Sequence, residues 1–165
     1  MRAFKIFLAA TALAFTMGAT PATASVDESS LTEATMASSA STTCHGSGPT
    51  AYCITTAPEG IPCPSGWICL YTESAWREMQ VRWPAGNYHP DFGLIPCPAG
   101  VPCNNGGPGF DDEMSSWRNN TDIFYCVDSD PRPGSPTINM PPRTGSAYID
   151  DSWNDWGSAL SSSGC

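Results

Sequence analysis

From Cys44 onward the large apolar side chains come in short bursts: "WICLY" at 67–71, "MQVRW" at 79–83, "IFYCV" at 123–127 and "AYI" at 147–149. Gly, Pro, Ser and Asp separate them. Bursts of this length bounded by turn residues predict β-strands. In 79–83 the alternation puts Met79, Val81 and Trp83 on one face and Gln80 and Arg82 on the other, the pattern of a half-buried strand. No segment after residue 43 holds a helical period, so the fold class is all-β. The start of the chain differs. Arg2 and Lys5 lead into the apolar run "IFLAATALAF", which ends before the small residues Ala22-Thr23-Ala24. This predicts a secretory signal peptide over residues 1–24. The run is too short to span a bilayer comfortably, and no membrane partner is expected. Residues 25–43, rich in Ser, Thr and Ala and without aromatics, predict a flexible leader. Residues 44–165 are then long enough for one compact domain but not for two.

Charge narrows the partners. Without the signal peptide, five arginines stand against sixteen Asp and Glu, a formal charge of −11. Such a surface repels nucleic acid and keeps an exported protein soluble, and it leaves cations as the ligands of interest. No Gly-x-Ser-x-Gly, His-Glu-x-x-His or phosphate loop accompanies the two histidines, His45 and His89, and the expectation is a monomer that is not an enzyme. Asn119-Asn120-Thr121 forms a sequon, read here as a turn after Trp117.

Eight cysteines in a short exported chain imply disulfides, although eight allow 105 pairings. Two of the segments repeat. "IPCPSGWIC" at 61–69 and "IPCPAGVPC" at 95–103 share Ile-Pro-Cys-Pro-(Ser/Ala)-Gly-x-x-Cys. Each can close a small ring that Pro and Gly help to turn, pairing Cys63 with Cys69 and Cys97 with Cys103. Zinc is the competing reading, but its knuckles space cysteines more closely and use them in paired sets. The partners of Cys44, Cys53, Cys126 and Cys165 stay open at this point, with Cys44–Cys53 and Cys126–Cys165 as the default.

A second repeat carries the candidate chemistry. "GFDDEMSSWRNN" at 109–120 is echoed in "YIDDSWNDWGSAL" at 148–160. Carboxylates, a backbone carbonyl and a hydroxyl within six residues supply the hard oxygens that calcium requires, though not in EF-hand spacing. The alternative is a solvated acidic turn.

The combination of "CPSGWICLY", "FDDEMSSWRNN" and "WNDWGSA" resembles a βγ-crystallin-type domain of the secreted bacterial peptidase inhibitor family I36, which includes a metalloproteinase inhibitor. The resemblance runs from about Cys63 to Leu160. It implies a sandwich of two Greek keys, each with the signature [DN]-[DN]-x-x-[ST]-S. Asp111 to Ser116 matches all of it, and Asn154 to Ala159 matches all but the last serine. Laying "ICLYTESAWREM" over "FYCVDSDPRPGS" sets Leu70 over Cys126 and Glu78 over Gly134, which supports a duplication. By the same resemblance, the Glu113 carbonyl and Ser115 hydroxyl would hold one calcium, and the Trp156 carbonyl and Ser158 another. Asp111, Asp112, Asn154 and Asp155 would complete the sites, some across the pair, with a carbonyl from Glu73. Ala159 lacks the bracing hydroxyl, and Glu78 stands where the family favours a glycine with positive φ; both departures make the first site the better formed.

The implied function is a secreted inhibitor of an extracellular peptidase, a metalloprotease by family, that occludes its target with a rigid loop. The loop singled out is Pro98, Ala99, Gly100, Val101 and Pro102 between Cys97 and Cys103, with Val101 filling a hydrophobic pocket from an extended, substrate-like segment. The alternative is a non-inhibitory calcium-binding module, toxin-like or directed at carbohydrate or a cell surface. Six tryptophans allow a sugar-stacking face, but about two-thirds of them are expected in the core.

Overall fold

The computed structural model describes residues 40–103, 108–132, 134–162 and 165. The signal peptide and most of the leader lie outside this range. Nine strands are seen among the described residues: β1 (Ser41–His45), β2 (Tyr52–Ala57), β3 (Trp67–Glu73), β4 (Arg77–Pro84), β5 (Ser116–Asn119), β6 (Tyr125–Asp128), β7 (Thr137–Met140), β8 (Gly145–Ser146) and β9 (Ala159–Ser161). They form two antiparallel sheets, in the orders β1-β2-β4-β3-β5-β8 and β7-β6-β9.

The connection is that of two Greek keys that exchange strands. In the first half, β3 and β4 form a hairpin, the chain crosses to the other sheet at His89, which bridges Leu160, and β5 returns beside β3. The second half repeats the route. After β6 and β7, β8 crosses to pair with β5, and β9 returns beside β6. Each half thus lends one crossing segment to its partner's sheet.

The core lies between the sheets. Ile68, Leu70, Met79, Val81 and Trp83 from the larger sheet meet Tyr125, Val127, Met140 and Leu160 from the smaller. Phe92, Ile95, Phe110 and Met114 close it from the connections. Each such side chain contributes roughly 1.5–3 kcal/mol by leaving water.

The reverse side of β4 is less open than the alternation predicted. Gln80 is fully buried, because the 61–63 segment folds over this face. Its amide donates to the Pro62 carbonyl (3.1 Å) and to the Tyr71 hydroxyl (2.9 Å), which donates in turn to the Ile61 carbonyl (2.9 Å). Burial pushes the Tyr71 hydroxyl up to about 12. A polar residue at an outward position was thus a sign of a buried network, which alternation cannot distinguish from solvent.

The larger sheet also begins earlier than expected. β1 starts at Ser41, inside the segment assigned to the leader, and pairs with β2, which pairs with β4. The Cys44–Cys53 disulfide joins directly opposed residues of this hairpin. The other disulfides are Cys63–Cys69, Cys97–Cys103 and Cys126–Cys165.

The sequon is an internal corner. Asn119 is fully buried. Its amide nitrogen donates to the carbonyls of Ile123, Met140 and Pro141, and its oxygen accepts from the amide and hydroxyl of Thr121. No face of that side chain is open to a glycan in the folded protein. The tryptophans are less buried than expected: Trp83 and Trp117 are buried, Trp67, Trp76 and Trp153 are half-buried, and Trp156 is exposed.

Candidate functional site

Two places carry the residues singled out from sequence. The first is the seam where the signature turns meet. Asp112 (φ 57°) and Asp155 (φ 59°), the second residue of each signature, both take the left-handed conformation, which Asp adopts more readily than most residues. The two turns are laced reciprocally. The Asp112 amide donates to the Gly157 carbonyl (3.2 Å), and the Asp155 amide to the Met114 carbonyl (3.2 Å). The Ile149 amide donates to the Ser115 carbonyl (3.0 Å), and the Phe92 amide to the Ser158 carbonyl (2.7 Å). The residues aligned from the repeat therefore occupy equivalent positions. The hairpin corners agree: Glu78 (φ 64°) and Gly134 (φ 85°) share positive φ, so Glu78 adopts the glycine conformation without being glycine.

The seam brings some proposed calcium ligands together. Ser115 Oγ lies 3.4 Å from Asp155 Oδ1, a contact from one signature to the other. The Asn154 amide donates to Asp155 Oδ2 (2.7 Å). Burial raises the Asp112 carboxyl above its ordinary value, and the neighbouring charges of Asp111 and Asp155 raise it further. Asp111 Oδ1 is buried and makes no hydrogen bond among the described residues, and Glu113 is buried.

Other ligands are committed elsewhere. The Glu73 carbonyl accepts from Ser116 Oγ at 2.6 Å. In the second half, Ser158 Oγ donates to the carbonyl of Ser129 (3.2 Å), the residue aligned with Glu73. Ser129 was missed in the sequence, although the same alignment that placed Gly134 under Glu78 would have found it. Trp156 is exposed beside Trp153, ring centroids 5.4 Å apart. Among the described residues, no three or more His, Cys, Asp or Glu side chains group as a metal site. The seam therefore brings together a carboxylate and a hydroxyl from opposite signatures, Asp155 and Ser115, rather than a cage of acids.

The second place is the Cys97–Cys103 ring. Its crest is a turn and not the extended segment expected. The Val101 amide donates to the Pro98 carbonyl (3.1 Å) and Gly100 has φ 89°, the geometry of a type II turn with glycine at its third position. Ala99, Gly100 and Pro102 are exposed. Val101, expected to fill a pocket of the target, is half-buried and, with Cys97 and Cys103, packs against the core. Its backing follows from the fold. The ring lies against β1 and β2. Pro96, Cys97 and Pro98 form a recess with Ser41, Thr43, His45, Ile54 and Thr56.

A duplicated all-β sandwich with exchanged crossing segments and paired signature turns defines a βγ-crystallin-type domain. Residues 56–135 match the family model of peptidase inhibitor family I36, so a comparison over the whole segment recovers the resemblance carried by the motifs. The match runs from β2 through the first signature to the proline-rich loop, and the second signature lies beyond it. No curated protein matches the chain. A solved structure described under "Evolution of the eye lens beta-gamma-crystallin domain fold" is similar at 16% identity and a TM-score of 0.46, covering 73% of this chain and 94% of that one. The family match supports a peptidase inhibitor role, and with the four disulfides it fits an extracellular protein. No helix among the described residues is long and apolar enough to cross a membrane.

Proposed function

We propose that the protein inhibits extracellular metallopeptidases by lodging a rigid, uncharged loop in the active-site cleft. The observation that supports this reading is the stretch from Phe92 to Cys103, which carries no charged side chain in a strongly acidic chain. A disulfide closes it, and it is pinned to the core through Cys97, Val101 and Cys103. A loop so fixed loses little conformational freedom on docking. Because the crest is a turn, it blocks the cleft without presenting a strand to be cut.

The test is a titration of the oxidised mature chain against thermolysin and subtilisin with a small peptide substrate. Stoichiometric loss of thermolysin activity with subtilisin unaffected is the expected result. Loss of subtilisin activity alone would reassign the target class, and unchanged rates with both would sink the reading.

Calcium enters the same proposal as a structural ligand of the seam. Ser115, Asp155 and the Glu113 carbonyl would hold one ion, while Ser158, Asp112 and the Trp156 carbonyl would hold a second. The partnerless Asp111 oxygen and the mutual repulsion that raises Asp112 fit a cation there. The ion would neutralise the acids and brace the two halves. At a calcium concentration ~100-fold above Kd, linkage supplies ~2.7 kcal/mol for each ion. That corresponds to an increase in Tm of about 10 °C for a domain of this size. Differential scanning calorimetry with calcium and with chelator checks it. Asp155→Asn should remove the share of the first ion, and a Tm indifferent to millimolar calcium would refute both sites.

A further inference from the structure

We propose that Leu94, and not the ring residue Val101, is the side chain that enters the target's hydrophobic specificity pocket. The inference rests on the inhibitor reading above. Leu94 is 70% exposed, the most exposed large apolar side chain among the described residues. Its neighbours are the opposite: Phe92 and Ile95, two positions before it and one after, are fully buried. The chain here rises out of the core for two residues and returns.

The rise is held from both ends. The Asp91 carboxylate accepts from the Gly93 amide (2.8 Å), capping a 3-10 turn over Phe92–Leu94. Within it the Leu94 amide donates to the Asp91 carbonyl (3.3 Å) and the Ile95 amide to the Phe92 carbonyl (3.0 Å). Outside it the Phe92 amide donates to the Ser158 carbonyl (2.7 Å), and the Ile95 carbonyl accepts from the Phe110 amide (3.0 Å). The backbone that carries Leu94 is thus fixed to both halves of the domain.

Val101 cannot serve in the same way. Inserting it into a partner would withdraw it from the core surface it covers, whereas Leu94 gives up only contact with water. Moving a leucine side chain from water into an apolar pocket is the change that favours binding, and a pre-ordered carrier spares the ordering cost. Pro96, Ala99, Gly100 and Pro102, further along the same charge-free stretch, are also exposed. The fitting partner is a peptidase whose primary pocket takes a branched aliphatic side chain, as against one built around an acid for Lys or Arg. Leu94 lies in a turn, so the peptide bonds beside it are not laid out as a substrate strand, and the inhibitor should be recovered uncut.

The experiment compares the oxidised mature wild type with Leu94→Ala, Leu94→Met and Val101→Ala, by inhibition constant against thermolysin and by thermal unfolding. Leu94→Ala should weaken inhibition roughly 50-fold, the loss typical of a central apolar anchor, with unchanged Tm. Leu94→Met should stay within about fivefold of wild type. Val101→Ala should lower Tm and, by loosening the loop, weaken inhibition only a few-fold, far less than Leu94→Ala does. An inhibition constant unmoved by Leu94→Ala while the wild type inhibits would overturn this assignment and leave the inhibitor reading standing. A wild type that inhibits no peptidase would remove both. Trypsin serves as the control, and strong inhibition of it would contradict the pocket chemistry.

Discussion

Trp83→Ala is expected to destabilise the domain by about 3–5 kcal/mol, the range for emptying a fully buried large aromatic position. Trp83 has no exposed surface and sits where the first half meets its crossing segment. Its ring stacks on Phe92 (centroids 5.8 Å, interplanar 24°) and lies near Tyr52 and His89 at 6.2 and 6.3 Å. Alanine would leave a cavity walled by three rings from β2 and the 89–92 segment, none of which is free to collapse into it. Trp83 Nε1 is buried without a hydrogen bond among the described residues, so Trp83→Phe forfeits no bond and should cost only about 1 kcal/mol. Chemical denaturation with disulfides intact measures both. A Trp83→Ala protein within 1 kcal/mol of wild type would mean that this aromatic cluster does not hold the sheets together.

Gly109→Ala should cost about 3 kcal/mol, the sum of placing a Cβ in the left-handed region and of a clash that only backbone movement can relieve. Gly109 has φ 63°, and an added Cβ would lie 2.3 Å from the Ile95 carbonyl oxygen and 3.0 Å from that of Gly93. Those two carbonyls flank Leu94, so relief of the clash displaces the exposed leucine. The variant should lose inhibition as well as stability. Gly66→Ala is the matched control: φ is 80° there, with nothing within 4 Å, and only about 1 kcal/mol is expected with inhibition retained. Equal losses from the two substitutions would show that the carbonyl contacts do not matter.

Much of the fold could be read from residues because duplication writes the same instruction twice. Asp112 and Asp155 share a rare backbone conformation, and so do Glu78 and Gly134. Strands came from bursts such as "WICLY", where turn residues mark both ends. Legibility failed where long-range packing decides. The Ser/Thr-rich start of β1 looks like a leader, because its strand character comes from pairing with β2 and the Cys44–Cys53 link rather than from apolar side chains. Gln80 looks like a surface residue because nothing local announces that the 61–63 segment folds over it. At the candidate site, the signature placed Ser115 and Asp155 but could not show that their side chains approach each other across 40 residues. Leu94 carries no sequence signal, because a lone leucine between glycine and isoleucine has no periodicity, and only burial reveals that its flanking residues turn inward. The cysteine repeat marks Val101 in the sequence, but its surroundings assign it to the core surface.

The exchange of crossing segments sets a lower limit on what this chain can be divided into. β8 completes the sheet of the first half, and the His89 bridge does the same for the second. A chain cut near Asp122 would leave two fragments, each with an unfilled sheet edge and an uncovered apolar face, and each would need the other to become soluble. The smallest self-sufficient object with this arrangement is the pair.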